Sequence, residues 1–163
     1  MGMVKHKERC PPNTKLRAFI DWWDVHGPFA IVILRGTTTD QLQAGEYAKG
    51  RKELPDGSWI VVDKEAVVTH ALRACDSAHG HAAGLDAHPV RELFPNGNVR
   101  LIYLGDEKDP AVRTEALRLF KVYDDLARGH GLEAGDTFGT LVDRPHVQDP
   151  AWRMLPLAPG VTA

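Results

Sequence analysis

The feature that most constrains the fold is a run of apolar residues at three- and four-residue steps: Val112, Ala116, Leu119, Phe120, Tyr123 and Ala127. Asp109-Pro110 opens it and Gly129 and Gly131 close it. This spacing predicts a helix with one buried face, and proline at the first helical position gives up only an N–H that has no partner within the helix. The apolar runs elsewhere are short. Asn13 or Thr14 can cap a first helix carrying Leu16, Phe19, Ile20 and Trp23, ended by "HGPF". "AIVIL" (30–34) reads as a buried strand. Thr38 or Thr39 can cap a short helix that stops near Gly50. "PDG" (55–57) is a turn feeding a strand "WIVV". Asp63 can cap a third helix with Ala66, Val67, Ala71 and Leu72 on one side. "FPNGN" (94–98) turns into a strand at 99–104, and the segment after Gly131 reads as loop with one short strand. The mixture is α+β in one domain, 1–163, with residues 1–12 as a flexible arm and 151–163 as a tail.

Composition narrows the function classes. Apolar residues make up 43% and charged residues 26%, and the net charge is −2. Nothing here asks for nucleic acid or an anionic membrane surface as a partner. No apolar run is long enough to span a bilayer. The start "MGMVKHKERCPPN" has no apolar segment behind its charges, so no secretory signal peptide is expected. Cys10 and Cys75 do not make a disulfide framework and suit a reduced compartment during folding.

The chemistry concentrates in "CDSAHGHAAGLDAHP", residues 75–89. With His70 just upstream, His79, His81 and His88 of this stretch fall in one 19-residue window. Imidazole is a good zinc ligand, and a carboxylate can complete a site that keeps one position open for water. His79 and Asp86 are an odd number of residues apart, which on a continuous strand would put them on opposite faces. They can meet one ion only if the chain turns between them, and the small residues of "GHAAG" allow that. His81 shares His79's face in an extended segment and is the rival ligand; His88 can share the face of Asp86. Downstream, "VDRPH" puts Asp143 three residues before His146, stiffened by Pro145. A histidine ligand with an acid beside it supplies both a metal donor and a proton acceptor. Taken alone, the first stretch reads as a polar loop and the second as a turn with a surface ion pair.

Together, "SAHGHAAGLD" and "DRPH" resemble the two signatures of the zinc-dependent M15 peptidases, which include D-alanyl-D-alanine carboxypeptidases and dipeptidases and phage L-alanyl-D-glutamate endopeptidases. In the first motif, S-x-H-x-x-G-x-A-x-D, Ser77, His79 and Asp86 hold their places, and the family's Gly and Ala stand exchanged as Ala82 and Gly84. Asp143 and His146 match the second motif, D-x-P-H. Gln41, Tyr47, Gly50 and Arg51 follow the order of the family's Q-x-x-L-Y-x-x-G-R stretch. Glu133 stands where a tryptophan is common.

The resemblance covers about residues 30–148. It implies a short antiparallel sheet flanked by helices, as in the M15 and hedgehog folds. It also implies Zn²⁺ held by His79, Asp86 and His146, with Asp143 as general base. Arg35 falls near the family's oxyanion-stabilising arginine and reads equally as an ordinary charge at a strand end. Ser77 is either a substrate contact or the cap of its own turn. The implied substrate is a peptidoglycan stem peptide, cut by a monomeric enzyme made in the cytoplasm. Such an enzyme would act on the cell wall after release, as an endolysin does, or from a virion. The resemblance leaves open which bond is cut, so a D-Ala-D-Ala dipeptidase or carboxypeptidase is a further form of the same reading. A non-catalytic, zinc-stabilised structural or interaction protein is the other class the same ligands would serve.

Overall fold

The computed structural model describes residues 3–64, 66–67, 69–93, 99–101, 109–139 and 142–163. Helices α1 (Thr14–His26) and α3 (Pro110–Gly129) lie where the apolar spacing predicts them, and α2 (Asp40–Ala48) lies where the cap at Thr39 and the stop near Gly50 predict it. Each begins with a side-chain cap. Asn13 Oδ1 accepts from the backbone N–H groups of Lys15 and Leu16, Thr39 Oγ1 from Leu42, and Asp109 Oδ1 from Ala111. Such a cap is typically worth about 1 kcal/mol. α1 buries Leu16, Phe19, Ile20 and Trp23, and α3 buries Ala116, Leu119, Phe120, Tyr123 and Ala127. Trp23 is fully buried, whereas Trp22 is half-buried at the edge against His26 and His130.

The strands in chain order are β1 (Val4–Lys5), β2 (Ile31–Arg35), β3 (Arg51–Glu53), β4 (Trp59–Val61), β5 (Gly84–Leu93), β6 (Val99–Leu101), β7 (Glu133–Ala134) and β8 (His146–Gln148). The main sheet runs β1-β2-β5-β8-β7, with β6 paired to β5, and β3-β4 is a separate hairpin. β1 is parallel to β2 and the other pairings are antiparallel, so the sheet is mixed rather than antiparallel throughout. β5 alternates along its length: Leu85, Ala87 and Pro89 are buried, while Asp86, His88 and Val90 are half-buried. Leu85 and Ala87 join Ile31, Ile33 and Val147 in one core with α1 and with Tyr123 and Ala127 of α3. Asp86 therefore points away from that core.

The structure corrects the sequence reading in five places. Residues 3–12 are not a free arm. β1 pairs with Ile31 and Val32, the Val4 N–H donates to Asp24, and Cys10 is buried. The C-terminal residues pack too, with Trp152 and Ala158 buried and the Ala158 N–H donating to Gly80 O. No helix forms over the described residues of 63–72. Their carbonyls are taken by side chains instead: Gln43 donates to Ala71 O and Arg51 to Thr69 O, and Leu72 stays exposed. The stretch following the histidines, read as loop, is the ten-residue strand β5. The last segment holds two short strands rather than one. Of the strand expected at 99–104, β6 covers 99–101; the remainder and the turn at 94–98 lie outside the described residues. Among the described residues, no helix is long and apolar enough to cross a membrane.

Candidate metal centre

Three neighbouring strands carry one row of chemical groups. Asp86 of β5 is paired with Arg35 of β2 on one side and with His146 of β8 on the other. Arg35 is there because of a bulge. The register steps from Ile33↔Ala87 to Arg35↔Asp86, so β2 spends an extra residue, Leu34, and brings the arginine opposite the aspartate. Re-aiming a side chain in this way is a usual effect of a β-bulge.

His79 enters from a single 3₁₀ turn, Ala78–His81. The turn required between His79 and Asp86 is made at Ala82, whose φ of 51° is left-handed. Ser77 caps the 3₁₀ turn. Its hydroxyl accepts from Gly80 N–H and donates to Ala74 O, so its hydrogen-bonding capacity is largely spent on the turn, although it also lines the cleft. Backbones are crowded here. A Cβ on Gly80 would overlap the Ala74 carbonyl, and one on Gly135 would overlap the Asp143 carbonyl.

His79, Asp86 and His146 converge. Asp86 Oδ1 lies 3.1 Å from His79 Nε2 and 2.9 Å from His146 Nδ1. One ligand atom from each lies within 4.8 Å of the others, so the group can hold a metal ion. Both imidazoles are buried, each 6% exposed. The rival His81 points elsewhere, with its ring nitrogens 2.7 Å from Leu155 O and 3.0 Å from Cys75 O. His88 shares Asp86's face and the cleft, but its ring packs on Phe120 and it is not in the converging group.

The hydrogen bonds on the outer sides of the two rings test whether a cation fits. His79 Nδ1 faces Gly36 O at 3.0 Å, a group that can only accept, so Nδ1 carries the proton. His146 Nε2 faces Gln148 Oε1 at 3.0 Å, and the Gln148 amide is itself oriented by donating to Glu133 Oε2 at 2.7 Å. Nε2 of His146 is therefore also the protonated nitrogen. The inner nitrogens of the neutral rings then present lone pairs toward a carboxylate oxygen. Three acceptors facing one point are satisfied by a cation, or by protons taken up in its place. The donor set fits a metal.

Protons on the two inner nitrogens supply the same positive charge at that point, and the carboxylates respond to it. Burial pushes the Asp86 carboxyl up, but attraction to His79 and hydrogen bonds from His146 and His79 outweigh it and hold the group well below the usual carboxylate range. For His146, burial opposes protonation, but the hydrogen bond and charge of Asp86 raise its affinity for a proton on balance. Asp143, half-buried, is raised above the ordinary carboxylate by burial first and then by repulsion from Asp86, with His146, His79 and Arg35 pulling the other way. It is not one of the converging ligands.

The group lies in a cleft of about 600 Å³, also lined by Arg35, Asp143, Phe138, Trp152 and Arg153. That is a normal size for a small-ligand site. Arg35 donates to Gln43 Oε1 at 3.1 Å, and Gln43 is buried. The glutamine that supports the arginine is thus Gln43, four residues before Tyr47, and not the exposed Gln41 that the sequence comparison selected. The support from Gln148 and Glu133 was not foreseen either; it appears only once the β7–β8 register sets Glu133 opposite Gln148. No family model matches the chain, and no curated protein matches it.

Proposed function

We propose that the protein is a zinc-dependent peptidase that cuts a peptide bond in bacterial peptidoglycan, most simply as an endolysin-type endopeptidase of the kind its two motifs resemble. The observation that carries this reading is the convergence of His79, Asp86 and His146 beside an acid, Asp143, that is not among the ligands. His79, Asp86 and His146 would hold the ion. Bound there, zinc supplies Lewis acidity, lowering the pKa of a water molecule toward neutrality and polarising a peptide carbonyl. Asp143 accepts the proton of the attacking water and returns it to the departing amine. Its burial and the nearby Asp86 make it a stronger base than a solvated carboxylate. Arg35, on the same row as Asp86, balances the negative charge that develops on the carbonyl oxygen.

A structural zinc domain is the competing reading. Structural zinc sites close all four positions with protein donors. Three converging donors in a cleft favour the peptidase. The experiment is digestion of purified peptidoglycan with and without a chelator, followed by mass spectrometry of the released fragments. New amino termini that appear only without chelator support the reading and identify the bond; an intact polymer under both conditions overturns it.

A further inference from the structure

The side of His146 that faces away from Asp86 is held by a chain of two side chains, which His79 lacks. Gln148 lies two residues along β8 from His146, so both side chains leave the same face of the strand. Glu133 is the register partner of Gln148 on β7, the edge of the sheet. The Glu133 carboxylate only accepts, so it fixes the Gln148 amide with its NH₂ outward and its oxygen toward His146. Nε2 of His146 must then donate, and the Nδ1 lone pair is directed at the centre. His79 gets the same service from a backbone carbonyl, Gly36 O, which no side-chain substitution can remove.

We infer that Gln148 and Glu133 are positioning residues, a Glu133–Gln148–His146 relay that fixes the tautomer and ring orientation of one metal ligand. The inference rests on the metal-site reading but not on what the ion does for catalysis. It also gives Glu133, the residue that departs from the resembled family's tryptophan, a task of its own.

The test measures zinc affinity by chelator competition on the full-length chain, with thermal unfolding of the metal-free protein as the control for folding. Outer partners of this kind typically change metal affinity about 10- to 100-fold. Gln148→Leu should weaken zinc binding by about tenfold or more on that scale. Glu133→Ala should weaken it less, and the double variant should be no worse than Gln148→Leu alone, because the glutamate acts only through the glutamine. Exchanging the two side chains, Glu133→Gln with Gln148→Glu, keeps an acceptor facing His146 and a donor behind it, and should restore tight binding. In ¹⁵N NMR of the zinc-loaded protein, His146 should be protonated at Nε2 and the signal should broaden or shift in Glu133→Ala. Wild-type zinc affinity in both single variants, strictly additive losses, or an exchanged pair as weak as Gln148→Leu would overturn the relay. A wild-type chain that takes up no zinc would overturn the metal site, and the relay with it.

Discussion

Asp86 and His146 stand directly opposite each other on β5 and β8, and the carboxylate oxygen of one lies 2.9 Å from the ring nitrogen of the other. The pair joins positions 60 residues apart in the chain. The ladder fixes both backbones, so the two side chains start from adjacent positions on one face of the sheet.

Asp86→Asn tests that pair. The amide keeps the shape but loses the charge and presents its NH₂ or a weaker acceptor. Zinc affinity in chelator competition should fall by more than the 10- to 100-fold typical of an outer partner. Retention of wild-type affinity would remove Asp86 from the ligand set.

Asp143→Asn should separate metal binding from chemistry. The purified variant should carry as much zinc as wild type by elemental analysis, while peptidoglycan hydrolysis drops by about 10²- to 10⁴-fold, the usual contribution of a general base. Equal loss of zinc and activity would instead make Asp143 a ligand.

Ala82 sits at a left-handed φ of 51°. A left-handed non-glycine residue costs roughly 1–2 kcal/mol. Part of that is regained by glycine and part offset by the added freedom of the unfolded chain. Ala82→Gly should therefore raise stability by up to about 1 kcal/mol, roughly 2–4 °C in Tm for a chain of this size. A lower Tm would mean that the Ala82 methyl packs usefully and the turn is not strained.

Asp124 of α3 predicts the pH dependence of stability. It is fully buried, neither oxygen has a hydrogen-bond partner among the described residues, and the nearest cation, Arg144, is 4.0 Å away. Burial, with repulsion from Asp136 and Asp125 only partly countered by Arg128 and Arg144, pushes its pKa up to about 8. A raised carboxyl binds its proton more tightly in the fold than in the unfolded chain. Its contribution is thus complete below the unfolded pKa and is lost as pH rises toward 8. The slope from this one group approaches about 1.4 kcal/mol per pH unit inside that window. Asp124→Asn should flatten the stability profile there and be the more stable form above pH 8. An unchanged profile in denaturant titrations from pH 5 to 9 would mean that Asp124 is charged in the fold throughout.

Much of this was legible in the sequence where one face of an element is apolar. α1 and α3 follow from their spacing and caps because burial alone decides them. β5 escaped detection although it alternates, since its inward residues include Ala87 and Pro89 and its outward ones Asp86 and His88, a mixture that reads as a polar loop. The stretch at 66–72 carries helical spacing, but among its described residues the carbonyls of Thr69 and Ala71 are claimed by Arg51 and by Gln43 of α2. The two motifs brought out the metal donors and Asp143. Strand register did not lie in any motif, and so the bulge before Arg35 and the pairing of Glu133 with Gln148 stayed invisible.

Gly80 and Gly135 lend a last consequence. Each leaves no space for even a methyl group, the first under His79's turn and the second under Asp143. In a saturation-mutagenesis screen both positions would score as intolerant as the ligands themselves while contributing no functional group. A map of lethal substitutions in this protein would thus outline the thickness of its backbone as much as its reactive atoms, and only metal content measured variant by variant would tell the two apart.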